Sequence, residues 1–84
     1  MAQATFKATP SFAARASGPG DVTFSCLDAD GEWTISATTA ASAAARGFIA
    51  AVGQTVSLGL ESGEHLQIRG RGDVHIVGPT LLVP

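Results

Sequence analysis

Three acidic residues have the alternate spacing that opens a calcium-binding loop: Asp28, Asp30 and Glu32. Such a loop needs a glycine at its sixth position for a sharp turn and a bidentate glutamate at its twelfth. Here Trp33 occupies the sixth position and no glutamate stands at the twelfth. The run Asp28-Ala29-Asp30-Gly31 is instead typical of a turn, because Asp caps its own backbone and Gly accepts positive φ.

Two histidines, His65 and His75, are the other candidates for metal or acid–base chemistry. Each alternates with an apolar residue, Leu66 or Ile76, so we expect both on the solvent face of a sheet, where they could be cross-strand neighbours. Two histidines without a third ligand make a poor zinc site. No Gly-x-Ser-x-Gly elbow, dinucleotide fingerprint or nucleophile beside a base is present. The sequence therefore predicts no catalytic residues, no metal, no cofactor and no enzyme activity.

The tripeptide Arg71-Gly72-Asp73 matches the motif that some integrin ligands display on a loop. Asp73 can equally cap the backbone of a glycine-rich turn. Binding of a receptor or glycan through this loop is therefore an alternative function for the chain.

Composition excludes several partners. The 84 residues include five Lys+Arg and seven Asp+Glu, a formal net charge of −2. That balance argues against a general nucleic-acid binder and against an anionic-membrane binder. Charged residues make up only 14 %, against about 25 % in typical domains. Either part of the surface is covered by another molecule, or the chain reflects an alanine-rich genome.

Cysteine content and hydropathy narrow the class of protein further. The single cysteine, Cys26, cannot form an internal disulfide, and its strand pattern predicts a small buried apolar residue. The sequence contains no run of about 18 apolar residues, so we expect no membrane span. The N-terminus lacks the apolar core of a signal peptide, so we expect no classical secretion.

The stretch from Gly53 to Gly78 has the strongest secondary-structure pattern. Apolar residues alternate with polar ones in three runs, around Val56–Leu60, Leu66–Ile68 and Val74–Ile76. The turns Glu61–Glu64 and Gly70–Asp73 separate the runs. The pattern predicts three strands of an antiparallel meander with one buried and one wet face.

The remaining segments also read as strands. Residues 1–17 predict two weak strands, Thr5–Ala8 and Phe12–Ala16, which Pro10 confines to a sheet edge or an arm. The stretch DVTFSCLDADGEWTISA predicts a hairpin in which Trp33 is the largest single source of burial. Residues 79–84 are a tail that either closes the core or docks onto another chain.

Residues 38–52 are ambiguous. Thr39 could cap a helix that ends at Gly53, with an apolar stripe of Ala41, Ala45, Phe48, Ile49 and Val52. The alternative is a loop through Arg46 followed by a short strand over Phe48–Val52. We favour the loop and strand, because every neighbouring segment is β. The whole chain is then one all-β domain, a small sandwich or jelly roll of about seven to eight antiparallel strands.

The order of these signals resembles that of small β-sandwich proteins in the virions of tailed bacteriophages. The matching pieces are VTFSC, DADGEWTI, VSLGLESGEHLQIRG and GDVHIVG, which span about residues 20–78. The alanine-rich stretch before Val56 is longer than that pattern. The resemblance implies a capsid decoration or cement protein, made in the bacterial cytoplasm and carried on the capsid surface. Its partner would be viral coat protein, and it would be a homo-oligomer, with a trimer favoured.

In that function the terminal arms would clamp coat subunits by apolar burial and strand addition. The contact elements would be Thr5–Ala16 and Leu81–Val83. The candidate contact residues are Phe6, Phe12, Leu81, Leu82 and Val83, together with Arg71 and Asp73 of the glycine-rich loop.

Overall fold

The computed structural model of this chain describes residues 2–40 and 47–82. Nine strands occur in these ranges: β1 Ala2–Lys7, β2 Ala13–Ser17, β3 Gly20–Cys26, β4 Gly31–Ser36, β5 Phe48–Ala50, β6 Thr55–Leu60, β7 His65–Gly70, β8 Asp73–Gly78 and β9 Thr80–Leu81. The same ranges contain no helix, and hence none that could cross a membrane. The prediction of an all-β domain is confirmed.

The strands form two facing antiparallel sheets. The four-stranded sheet has the order β1-β8-β3-β6, and the five-stranded sheet has the order β5-β4-β7-β2-β9. Strands whose numbers add to nine are antiparallel neighbours: β1 with β8, β2 with β7, β3 with β6 and β4 with β5. This is the order of an eight-stranded jelly roll, a long hairpin folded over on itself, with β9 added beside β2.

The predicted meander over Gly53–Gly78 is wrong in its pairing, although its three strands exist. Strands β6 and β8 lie in the four-stranded sheet, and β7 lies in the five-stranded sheet. The turns Glu61–Glu64 and Gly70–Asp73 therefore carry the chain across the core. The predicted hairpin of β3 and β4 is divided between the sheets in the same way. Alternation at period two buries one face in either arrangement, so it cannot distinguish lateral pairing from facing across a core.

The core lies between the inner faces of the two sheets. The largest side chains with less than 2 % exposure in this layer are Phe24, Leu66, Ile68, Ile76, Val22, Val74 and Cys26. The Phe24 and Trp33 rings meet edge to face across the layer, with centroids 6.5 Å apart. Trp33 is only partly buried, so Phe24 is the more deeply buried of the two rings.

The two terminal segments belong to the sheets. Strand β1 is an edge strand, as the proline predicted, but β2 lies between β7 and β9. Phe6 is 8 % exposed and Phe12 only 1 %. Both were expected to be contact residues on an arm, and this expectation is wrong because each ring is packed inside its own chain.

At the other end of the chain, Leu81 is half-buried in β9, where it packs against the core. The Leu82 N–H donates to the Arg15 carbonyl at 2.9 Å, and the Leu82 side chain is exposed. Val83 lies outside the described residues. Residues 80–82 therefore close one side of the five-stranded sheet, which was one of the two roles expected for the tail.

The segment 38–52 is not helical at either described end. Residues 38–40 form a bend, and β5 covers Phe48–Ala50, which confirms the predicted short strand but ends it two residues before Val52. The amide of Gln67 donates to the carbonyls of Thr38 and Ala40, at 3.2 and 2.7 Å. This bend therefore covers the outer face of β7, where the alternation predicted solvent. The remaining part of the proposed helix, including Ala41, Ala45 and Arg46, lies outside the described residues.

Replacing Phe24 tests the assignment of the core. We expect Phe24→Ala to lower the free energy of unfolding by about 3–5 kcal/mol, because a large cavity would remain between the sheets. Phe48→Ala removes the same side chain from a position that is 66 % exposed, so we expect a loss of about 1 kcal/mol or less. Urea denaturation gives both values. Equal losses for the two variants would contradict the structure, and Phe24→Leu offers a milder change if Phe24→Ala does not fold.

Candidate functional site

One open depression lies where β4 begins and β7 ends. It encloses about 500 Å³, and its lining residues are Pro10, Asp30, Gly31, Glu32, Ile49, Arg69, Gly70 and Arg71. Two acidic and two basic side chains therefore stand beside an apolar wall formed by a proline and an isoleucine. The formal charges of these four side chains cancel.

Most charged groups of the depression are engaged within the chain. The Arg69 guanidinium donates to Glu32 Oε1 through Nε at 2.7 Å and also through a terminal nitrogen. Arg69 also lies over the Phe12 ring, 4.4 Å from its centroid. About a quarter of each charged side chain in this pair is exposed, so the ion pair itself contributes about 1 kcal/mol or less. Arg69 thereby covers the Phe12 ring on the outer side of the five-stranded sheet.

The three acidic residues with calcium-like spacing point to three different neighbours. Asp28 accepts from the Asp73 N–H at 3.4 Å, Asp30 accepts from the Val52 N–H at 2.8 Å, and Glu32 pairs with Arg69. Residues 2–40 and 47–82 contain no group of three metal-ligating side chains. Asp28 and Asp30 bind backbone N–H groups of other segments, whereas Glu32 links the neighbouring strands β4 and β7.

The tripeptide Arg71-Gly72-Asp73 forms the packed turn between β7 and β8. Gly72 is buried, its carbonyl accepts from the Ala8 N–H at 2.9 Å, and a Cβ on it would lie 2.9 Å from the Ala29 nitrogen. The Asp73 carbonyl accepts from the Leu27 N–H at 2.8 Å. Only Arg71 is exposed, so the turn does not project as a displayed loop.

The two histidines lie in different sheets, so they are not the cross-strand neighbours that the sequence allowed. Ser17 Oγ and His65 Nδ1 are 2.7 Å apart on the five-stranded sheet. Thr5 Oγ1 and His75 Nδ1 are 3.2 Å apart on the four-stranded sheet. Neither pair lines the depression, and neither has an acidic hydrogen-bond partner among the described residues. Each therefore fits a cross-strand contact better than a nucleophile with its base.

The outer face of the four-stranded sheet is largely polar and carries several hydroxyl groups. One row crosses all four strands through Thr5, His75, Ser25 and Thr55. The hydroxyl groups of Ser25 and Thr55 are 3.4 Å apart at one end of this row. All four side chains of this row are polar.

Cys26 is 1 % exposed, which confirms the predicted burial. Burial raises the pKa of its thiol above the ordinary value, the negative charge of Asp30 raises it further, and a hydrogen bond from the Gly31 backbone partly opposes both. The thiol therefore stays protonated at neutral pH and is not an activated nucleophile.

Arg15 is a buried cation that the sequence did not reveal. It lies where the β2–β7 register shifts between Ala14 and Ala16, and this bulge turns its side chain inward. The guanidinium sits 4.4 Å from the centroid of the Phe6 ring, and its Nε has no hydrogen-bond partner among the described residues. Burial lowers the pKa of Arg15. No pattern in the sequence distinguishes a bulge from regular alternation at this position.

The exposed apolar side chains concentrate around β5. Phe48 is 66 % exposed, Ile49 69 %, and nearby Val52 and Leu27 about half. One edge of β5 pairs with β4, and no strand within residues 2–40 or 47–82 pairs with its other edge. An edge strand with unpaired backbone groups and exposed apolar side chains is a site for pairing with another chain.

In comparisons with known proteins, no family model, no curated protein and no solved structure matches this chain. Its function is therefore inferred from its own residues.

The Cys26 thiol gives a pH test of the packed core. Because its pKa is raised on folding, its contribution to stability is complete below the pKa of an unfolded thiol, about 8.5. That contribution is lost as the pH rises from there through the higher pKa of the folded state. We expect the difference in unfolding free energy between the wild type and Cys26→Ala to be constant from pH 6 to about 7.5 and to shift against the wild type above about pH 8.5. Urea denaturation across this range measures it, and a difference that stays constant to pH 10 would contradict the assignment.

Proposed function

We propose that this chain is a structural virion protein, a capsid decoration protein that binds coat subunits and stabilises the shell. The single observation that carries the proposal is a pair of edge strands, β1 and β5, on opposite sides of the sandwich. Strand β1 contacts β9, which ends the five-stranded sheet on one side, and β5 ends that sheet on the other. A domain that is open at both sides can pair with one neighbour at each.

The chemistry of the described residues supports a structural function. Several of their carboxylates and hydroxyls and both histidines contact neighbouring strands or loops, and the thiol is buried. The jelly roll is a fold that virus shell domains share with lectins and other proteins. Fold alone does not establish function, so the open edges are the more specific support.

We assign the coat contact to the β1 side, which was the contact element expected from the sequence. The exposed residues of β1 are Ala2, Gln3, Thr5 and Lys7. Leu82, 38 % exposed, adds an apolar side chain beside β2 and β9. The contact would be strand addition along β1 with apolar burial at Leu82, in place of the buried rings of Phe6 and Phe12.

The alternative of a receptor- or glycan-binding module gains no specific support. Gly72 is buried and the backbone on both sides of it is hydrogen-bonded to other segments. A receptor that grips Arg71 and Asp73 together would need that turn to project. The Asp73→Ala variant separates the two functions, because it removes a side chain that the coat contact does not use.

The proposal is tested by co-expressing the chain with the major coat protein of the same genome and sedimenting the assembled shells. We expect the wild type to co-sediment, and Thr5→Lys to lose most of its binding, because a lysine within the edge strand, unlike Lys7 at its end, opposes strand addition. Thr55→Lys is the matched control: it makes the same change on the same sheet face, in the same row, at the opposite edge.

Asp73→Ala should co-sediment like the wild type. Absence of the wild-type chain from the shells would contradict the proposal, as would equal loss of binding by Thr5→Lys and Thr55→Lys. Loss of binding by Asp73→Ala alone would favour the displayed turn.

A further inference from the structure

We infer that the β5 edge pairs with β5 of a second copy of this chain, in an antiparallel contact about a two-fold axis. The two five-stranded sheets would then become one continuous sheet of ten strands. This inference concerns the side of the sandwich opposite to the proposed coat contact, and it holds or fails independently of that contact.

The β5 edge, three residues long, lacks charge and proline, two features that normally prevent strand pairing. The segment 47–51 contains no charged residue and no proline. By contrast, β9 follows Pro79, and the exposed side chains of β6 are the polar Thr55 and Ser57. Charged residues and proline are two of the usual ways in which an edge is protected. Of the edges in the described residues, β5 is the one with large exposed apolar side chains.

The apolar surface has the area of a weak, specific interface. Phe48 and Ile49 are about two-thirds exposed, and Val52 and Leu27 about half. With roughly 200 Å² for a large side chain, the four residues expose on the order of 450 Å² per copy, within the range of functional patches. Complete burial of these side chains in two copies would remove roughly 900 Å², an upper bound that lies in the range of weak or transient complexes.

The edge is complementary to itself in side-chain size. An antiparallel pair centred on Ile49 places Phe48 of one copy opposite Ala50 of the other, so a large ring meets a small side chain on the inner face. The Phe48 ring is already held against Trp33, with centroids 4.8 Å apart. This contact restricts the ring before association, which reduces the conformational entropy lost when the second copy binds.

Charge favours an identical partner over a charged one. In a symmetric pair each side chain near the axis meets its own copy, so a charged edge would repel itself. The segment around Ile49 is uncharged, and Glu32, its neighbour on β4, is paired with Arg69. A two-fold contact between identical patches closes as a dimer, so this edge favours a dimer over the trimer that the sequence analysis favoured.

The test is sedimentation velocity of the full chain from about 5 μM to 1 mM. We expect a reversible monomer–dimer equilibrium, and we expect Ile49→Lys to raise the dimer dissociation constant by at least about 30-fold, the effect of a central contact residue. Leu82→Lys is the matched control, because it puts the same charge on an exposed apolar residue of the opposite side. It should dimerise like the wild type.

A cysteine at position 49 tests the register. Directly opposed residues in an antiparallel pair have Cβ atoms about 4.5–5.5 Å apart. Ile49→Cys should therefore form a disulfide-linked dimer under mild oxidation, whereas Leu82→Cys should not, and the buried Cys26 stays reduced in both.

A wild-type chain that is monomeric up to 1 mM would overturn the inference, as would an Ile49→Lys variant that dimerises normally or the absence of the Ile49→Cys cross-link. Shell binding distinguishes the two proposals. Dimers that ignore the shell would contradict only the decoration function. If the wild type is monomeric and Ile49→Lys no longer binds shells, the β5 edge contacts the coat protein. That result would contradict only the dimer.

Discussion

The burial of apolar side chains between the two sheets is the constraint on which the rest of the structure depends. The inner face of the four-stranded sheet supplies Phe24 and Ile76, and that of the five-stranded sheet supplies Leu66 and Ile68, all exposed by 1 % or less. Because consecutive strands mostly alternate between the sheets, nearly every turn must cross this layer. The turns are therefore packed closely against other segments. A Cβ on Gly18, for example, would lie 2.2 Å from the Glu61 carbonyl oxygen.

A second, smaller layer covers the outside of β7. Gln67 is fully buried there by carbonyl groups of residues 38–40, and Arg69 lies across Phe12. β7 is thus enclosed on both faces, which is unusual for a strand whose sequence alternates apolar and polar residues. Several of the few charged side chains therefore form hydrogen bonds or packing contacts within the chain. The low charged fraction therefore leaves apolar and hydroxyl groups to form much of the surface, and the largest apolar group of these lies at the β5 edge.

Local patterns predicted the strands well because burial on one face imposes alternation whatever the partner strand is. The runs around Val56, Leu66 and Val74 all became strands, and Gly63 took the positive φ of 87° that its turn requires. Pairing was not predictable, because a crossing turn and a hairpin turn use the same residue types.

Arg15 and Gln67 were missed for a related reason: a bulge and a covering bend change which face is buried without changing residue type. Phe6 and Phe12, being aromatic residues near a terminus, were mistaken for contact residues. The edge at Phe48 and Ile49 was contained in the predicted strand, but its exposure depends on which strand ends the sheet.

The most direct measurement of the central claim is a set of backbone nuclear Overhauser contacts from the isotopically labelled chain. The jelly roll predicts cross-strand contacts between Ala4 and Ile76, between Phe24 and Val56, and between Trp33 and Phe48. It predicts none between the backbones of β6 and β7, which lie in different sheets. A regular ladder of contacts from β6 to β7 and from β7 to β8 would show a meander, and with it neither the β1 edge nor the β5 edge would stand where the proposed assembly needs it.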